Sequence, residues 1–331
     1  MSTSSSATAK ASDQPTGLPI KTSNRSVSIV IPVYRSSVIL PELIDRLLRV
    51  METRSCPFEV ILVDDASPDD SWQTLQELKQ RHPQALKIVR LARNVGQHGA
   101  LLCGLGIARY DVIVTMDDDL QHLPEDVPRL LNRTEEGFDL VIAAYDEKQH
   151  AALRNRAGGM VDGLLRCLFR LPGDFQLTSF RAVDRIVVRE ASHMGGVYPY
   201  VTAMLLTHAS RPTNVAVTHN ARKCGESNYT WRRSFSLAAN LIFSYSNLPL
   251  YAVAGLCVVA FLFAVAYGLY VLIQALTSQV GVPGWASTIV VLSFLNALIL
   301  ASLVIFGVYL SRLNAQVSRS RVPYSVREIN D

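Results

Sequence analysis

From Val27 to Asp146 short runs dominated by Val and Ile alternate with segments whose apolar residues recur every three or four positions. The runs Val27–Tyr34 (VSIVIPVY), Phe58–Asp65 (FEVILVDD), Leu86–Ala92, Asp111–Asp118 (DVIVTMDD) and Asp139–Tyr145 are near-continuous in apolar character. That is how strands covered on both faces read. Between them, Pro41–Met51 and Ser71–Arg81 carry the helical period. Strand and helix in alternation predict an α/β, Rossmann-type, mostly parallel sheet flanked by helices. Ligands of such sheets sit beyond the carboxyl ends of the strands. Three of the runs end in polar clusters there: Tyr34-Arg35-Ser36, Asp64-Asp65 and Asp117-Asp118-Asp119. Beyond Ala151 the pattern is mixed, with helices expected over Arg154–Arg170 and Val183–Met194 and a strand over Thr213–Asn220.

The pattern changes again after Tyr229. From Ser234 to Ser311 there is no Asp, Glu, Lys, Arg or His. Two apolar spans, about 248–276 and 285–310, each exceed the roughly 20 residues that cross about 30 Å of hydrocarbon. A charge-free turn at 277–284 separates them. Residues 228–247, with Trp231, Arg232, Arg233 and Phe235, read as an amphipathic helix lying in the membrane interface. Arg232 and Arg233 on one flank and Arg312, Arg319, Arg321 and Arg327 on the other place both ends, and the tail 311–331, in the cytosol. The expected organisation is therefore a disordered arm (1–24), a catalytic domain (25–227), an interfacial helix (228–247), a two-helix transmembrane hairpin (248–310) and a basic tail. The arm has no apolar run of the signal-peptide kind.

Composition narrows the picture further. Charged residues make up 18% of the chain and apolar ones 49%, and the net charge is +4. That balance is too mild for a nucleic-acid surface, so no nucleic-acid partner is expected. The five scattered cysteines have no zinc spacing and read as buried thiols.

Three neighbouring carboxylates, Asp117, Asp118 and Asp119, repel one another unless something positive sits among them. One answer is a hard cation, Mg²⁺ or Mn²⁺, held between carboxylates and substrate phosphates. The other is a solvated acidic turn leading into the helix that starts near Pro124. In Val63–Asp69 (VDDASPD), Ser67 or Asp69 reads as a helix cap and Asp65 as free to accept from a base or ribose. The turn Arg93–Ala100 (RNVGQHGA) has no GxGxxG pattern, so a dinucleotide site is unsupported. Its His98 reads as a base or as a helix-end hydrogen bonder. Arg222 and Lys223, at the membrane edge, suit a phosphate headgroup or general attraction to anionic lipid. Arg154 and Arg156 pose the same choice.

In order along the chain, IPVY (Ile31–Tyr34), VDDASPD, RNVGQHGAL (Arg93–Leu101), MDDDLQHLPE (Met116–Glu125) and GESNY (Gly225–Tyr229) resemble the family 2 glycosyltransferases that load a sugar onto a polyprenyl phosphate. Within that family the likeness is to the undecaprenyl-phosphate 4-deoxy-4-formamido-L-arabinose transferases and the bactoprenol glucosyltransferases. The resemblance implies a GT-A-like fold, a nucleotide-sugar donor, a polyprenyl phosphate acceptor, the lipid bilayer as partner and a homo-oligomer, commonly a tetramer. It implies that Pro32, Tyr34, Asp65, Asn94 and Gln97, with Asp118, hold the nucleotide. Asp117 and Asp119 take the metal positions, with Gln121 beside them, and Mg²⁺ or Mn²⁺ is the cofactor. Arg154 and Arg222 match phosphate-binding arginines, with Lys223 and Ser227 beside the latter. Catalysis then rests on Asp117, Asp119, Arg154 and Arg222. Three departures stand out: Asp118 where the family usually has Ala, Asn228 in place of Lys, and one extra residue between Asp174 and Phe180-Arg181. Other readings of the same pattern are a sugar-nucleotide nucleotidyltransferase, a non-catalytic membrane scaffold and a processive polysaccharide synthase. The synthase is weakened by the missing QxxRW motif.

Overall fold

The computed structural model describes residues 25–145, 163, 165–192, 200–217, 248–277, 284–318 and 323–331. Its centre is an eight-stranded sheet of order β7-β5-β6-β4-β1-β2-β3-β8. The strands are β1 (Val27–Val33), β2 (Phe58–Asp64), β3 (Leu86–Leu91), β4 (Val112–Thr115), β5 (Leu140–Tyr145), β6 (Arg181–Asp184), β7 (Pro212–Val217) and β8 (Val326–Asn330). The four strands β4-β1-β2-β3 are parallel neighbours, and β5 pairs parallel with β7. Only β6 and β8 run against their neighbours. The expected mostly parallel α/β sheet is therefore present.

Helices α1 (Leu40–Glu52), α2 (Ser71–Arg81) and α4 (Val127–Glu135) cover one face, while α3 (Gln97–Ile107), α5 (Arg185–Ser192) and α6 (Val201–His208) cover the other. Side chains of one strand alternate between the two layers. Thus Ile29 and Ile31 of β1 join the first core, and Val30 joins the second. Pro32 sits in this central strand without penalty to the β4 ladder, whose pairing ends at Val30. A missing N–H is tolerated where a ladder has already stopped.

Several expected boundaries move. The run Asp111–Asp118 forms a strand only over Val112–Thr115. The helix expected from Val183 begins as strand β6 and turns helical at Arg185. The basic helix expected over Arg154–Arg170 is described only in its last part, where 165–168 is helical. The tail is not merely a basic extension, because β8 joins the edge of the sheet.

Two further helices, α7 (Leu248–Thr277, 30 residues) and α8 (Trp285–Ser318, 34 residues), touch one another, with Cys257 Sγ and Ser302 Oγ 3.1 Å apart. At 1.5 Å per residue they are about 45 and 51 Å long. They present Leu262, Phe263, Tyr270, Leu303 and Phe306 outward, each at least half exposed. Taken over the described residues alone, no helix is long and apolar enough to cross a membrane. Within the two helix bounds the sequence holds no charge before Arg312. The expected interfacial helix lies outside the described residues.

Candidate active site

The parallel strands deliver their following loops to one edge, and each of these four loops contains a residue in the left-handed backbone region. These are Arg35 (φ 59°) after β1, Ala66 (φ 53°) after β2, Gly96 (φ 84°) after β3 and Leu120 (φ 58°) after β4. For a residue other than glycine that conformation costs about 1–2 kcal/mol, and it persists where surrounding contacts impose it.

Those contacts are carboxylates gripping neighbouring loops. Asp65, buried after β2, accepts from the backbone N–H groups of Val95 (2.7 Å) and Gly96 (2.8 Å). Burial raises its pKa and the two N–H groups oppose the rise. Its oxygens are thus engaged in shaping the 93–96 loop, rather than free as the sequence suggested. Asp118 accepts from the Tyr34 N–H at 3.0 Å and the Ser36 hydroxyl at 2.5 Å, tying the β4 loop to the β1 loop. Burial pushes its carboxyl up to about 6, against those hydrogen bonds. Of the two expected helix caps, Ser67 serves another loop, its Oγ accepting from the Arg35 N–H at 3.2 Å. Asp69 Oδ1 accepts from the Ser71 N–H at 3.4 Å and from the Ser71 hydroxyl at 2.8 Å, at the first residue of α2.

Asp117 and Asp119 flank Asp118 on the same loop. Asp117 Oδ1 accepts from Gln97 Nε2 at 2.6 Å and Oδ2 from the Ser179 hydroxyl at 2.7 Å. The Asp117 N–H donates to His122 Nδ1 at 3.1 Å, which gives this imidazole an acceptor nitrogen on that side. The 3.9 Å approach of the same nitrogen to Asp117 Oδ2 is therefore no ion pair. His122 is itself stacked against Phe180, with centroids 5.0 Å apart. Asp119 accepts from the Gln121 backbone N–H at 3.1 Å. Tyr34 is 42% exposed beside them, with the Arg35 guanidinium 5.3 Å from its ring centre. Asn94 is exposed on the neighbouring loop.

Among the described residues, no three His, Cys, Asp or Glu side chains converge as a closed cage for an ion. Two hard carboxylates on an open edge suit a cation that completes its shell with substrate oxygens and water, as Mg²⁺ and its like do. The donor set fits that role, and it does not fit a resident structural metal.

His98 lies on the inner side of α3, edge-on to Tyr200 at 4.8 Å. Burial, with the Arg181 charge nearby, pushes its pKa down to about 4, against the pull of Asp117. So weak a base is poorly matched to proton abstraction at neutral pH. Asp174 is exposed in a turn. Arg154, Arg156, Arg222, Lys223 and Ser227 lie outside the described residues. The sequence reading missed Ser179, whose place beside Asp117 is created by β6 entering the sheet between β4 and β5. The only local signal was the Ser-Phe-Arg triplet closing a turn-rich segment.

Residues 28–185 match glycosyl transferase family 2. Undecaprenyl-phosphate 4-deoxy-4-formamido-L-arabinose transferases from two Klebsiella pneumoniae strains are each 30% identical over 311 residues, 92% of this chain and 94% of theirs. Among solved structures, glucosyl-3-phosphoglycerate synthase from Mycobacterium tuberculosis, in complex with Mn²⁺ and uridine-diphosphate-glucose, is 19% identical. It covers 69% of this chain and 84% of its own, with a TM-score of 0.51. Mannosyl-3-phosphoglycerate synthase from Rubrobacter xylanophilus is 18% identical over 66% of this chain and 73% of its own, with a TM-score of 0.52. At that identity the two structures establish a shared fold.

Proposed function

The chain belongs to glycosyl transferase family 2, and we propose that it moves a sugar from a nucleotide donor, UDP-linked, to undecaprenyl phosphate at a membrane surface. The observation that carries the reading is the Asp117 and Asp119 pair, oriented at the carboxyl edge of β4 beside Tyr34 and the 93–96 loop. The acceptor is taken from relatives whose length this chain spans almost completely. The bilayer would cover the apolar flanks of α7 and α8, which no described residue covers, and the flanking arginines favour a cytosolic catalytic domain.

In this scheme an oxygen of the lipid phosphate attacks the anomeric carbon, the bond from that carbon to the diphosphate oxygen breaks, and the nucleoside diphosphate leaves with its electron pair. Direct displacement inverts the anomeric centre. A phosphate monoester has its second pKa near 6, so it attacks as a dianion and gives up no proton. That removes the need for a strong base, in keeping with the weak basicity of His98. Asp117 and Asp119 would hold Mg²⁺ or Mn²⁺, and the chemistry such an ion supplies is neutralisation of charge on the departing diphosphate. Gln97 and Ser179 keep Asp117 oriented, and Asp65 shapes the loop beside the nucleotide. Arg154 and Arg222 are proposed to grip the acceptor phosphate, where orientation can supply roughly 7–11 kcal/mol.

The test uses the full chain in detergent with undecaprenyl phosphate and a panel of nucleotide sugars. Nucleoside diphosphate release that depends on the lipid is the expected result. Asp119→Ala should lower the rate at least about 100-fold while unfolding at the same temperature, the size of effect seen when charge stabilisation is lost. Release indifferent to the lipid, or full activity in Asp119→Ala, overturns the proposal.

A further inference from the structure

Beneath the acidic loop lies a guanidinium that the displacement does not use. Arg181, the first residue of β6, is 1% exposed and among the largest fully buried side chains of the protein. Its Nε donates to Thr115 Oγ1 at 3.2 Å and Nη1 to Thr202 Oγ1 at 2.9 Å. Thr115 ends β4, two residues before Asp117, and its hydroxyl donates to the Ser179 carbonyl at 2.6 Å. Ser179 in turn donates its own hydroxyl to Asp117 Oδ2 at 2.7 Å.

The direction of this path is chemically determined. A threonine hydroxyl has one proton, and a guanidinium can only donate. Once Thr115 Oγ1 accepts from Arg181, its proton is committed to Ser179. The Ser179 backbone is thereby pinned, and its hydroxyl points at the carboxylate. Gln97 holds the other Asp117 oxygen, so neither can rotate freely. Among the described residues Arg181 forms no ion pair, and a buried cation on hydroxyls alone is costly. Burial pulls the guanidinium down to about 10, and Tyr200 and then Asp117 nearby oppose that fall.

We propose that Arg181 is a positioning residue, which through Thr115 and Ser179 fixes the Asp117 carboxylate in the orientation that would hold a divalent cation for the donor's diphosphate. The assignment rests on reading this edge as the nucleotide-sugar pocket. It reaches past that reading, because neither Arg181 nor Thr115 touches the ligand in it.

The experiment is calorimetric titration of the full chain in detergent with UDP, with and without Mn²⁺, alongside thermal unfolding. Ser179→Ala, Thr115→Val and Arg181→Lys each cut the path at a different point. Lysine keeps the charge but lacks the fork that reaches both threonines. Each should weaken Mn²⁺-dependent UDP binding roughly 10- to 100-fold, the usual consequence of losing a partner that orients a ligand-binding group. Ser179→Thr should restore binding. The double variant Thr115→Val/Ser179→Ala should be no weaker than the worse single one, since both interrupt a single path. Full affinity in the single variants, or losses that simply add, overturns the proposal while leaving the pocket reading intact. Failure of the unmutated chain to bind UDP under either condition overturns the pocket reading, and this proposal with it.

Discussion

His98 is held neutral by where it sits, and that has a consequence for stability. In the unfolded chain an imidazole titrates near 6.5, whereas in the fold burial and the neighbouring guanidinium lower this to about 4. Above pH 6.5 both states are neutral and the residue contributes nothing. As pH falls from 6.5 toward 4, the unfolded chain takes up a proton that the fold refuses, and stability is lost. By pH 5 the loss amounts to about 1–2 kcal/mol, after allowing for some access of water. Asp64, Asp65 and Asp118, whose pKa values are raised by burial, act with the opposite sign in acid. Arg181, Asp117 and Tyr200 surround the imidazole and remain in a His98→Gln variant, so the difference between the two proteins isolates this residue. Denaturant midpoints should fall less between pH 7 and pH 5 in His98→Gln than in the parent, and equal falls would refute the assignment. At this scale the acidic triplet was legible, because adjacent carboxylates demand a partner whatever the fold. The division of labour within it was not. Asp118 and Asp65 are committed to N–H groups on other loops, and no local sequence pattern encodes which distant backbone will face a side chain.

The elements were easier to read where one physical signal dominated. Helix α2 begins and ends at Ser71 and Arg81, as its apolar spacing predicts, because Trp72, Leu75 and Leu78 form a single buried stripe. Strand β6 was not expected, and its last two residues fell at the start of an expected helix, since four residues with an Arg and an Asp among them carry no strand signature. Only its antiparallel insertion between β4 and β5 explains why Arg181 is inside. Helix α3 depends on a different feature, a close approach that only glycine permits. A Cβ on Gly104 would lie 2.2 Å from Val30 Cγ1 and 3.3 Å from Val63 Cγ2. Both valines are fully buried in central strands and cannot yield. Gly104→Ala should therefore push α3 off β1 and destabilise the protein by about 1–3 kcal/mol, despite alanine's better helix propensity. Because α3 begins at Gln97, the same shift should weaken UDP binding. A thermal midpoint at or above that of the parent would show that the contact is not tight.

At the scale of the whole molecule, the charge-free block announced two long apolar helices, yet nothing announced that the chain returns afterwards to the catalytic sheet. Beyond α8, Tyr324 packs half-buried against the α3 layer, its hydroxyl 3.3 Å from where a Gly106 side chain would begin. Strand β8 then pairs with β3, Ala92 N–H donates to the Ser325 carbonyl at 2.8 Å, and Asp331 meets Lys87 at 2.6 Å. The side chains of β8 are all exposed, so its backbone bonds rather than its apolar content hold it, and a hydropathy pattern could not reveal it. This strand covers β3 and becomes the edge itself, where its exposed Arg327 and Glu328 are the kind of residue that discourages pairing with a neighbour. It also braces β3, which leads directly into the loop gripped by Asp65. Strand β8 thus brings the chain that follows α8 back to the strand that leads into the 93–96 loop. Deleting residues 323–331 should leave Lys87 without Asp331, uncover the edge of β3 and loosen the 93–96 loop. The expected result is a lower unfolding temperature, concentration-dependent association by light scattering in detergent, and weaker UDP binding with the acidic pair intact. A truncated chain that stays monodisperse as the parent does, with unchanged melting and UDP affinity, would mean that the strand is an appendage and that α7 and α8 alone orient the catalytic domain.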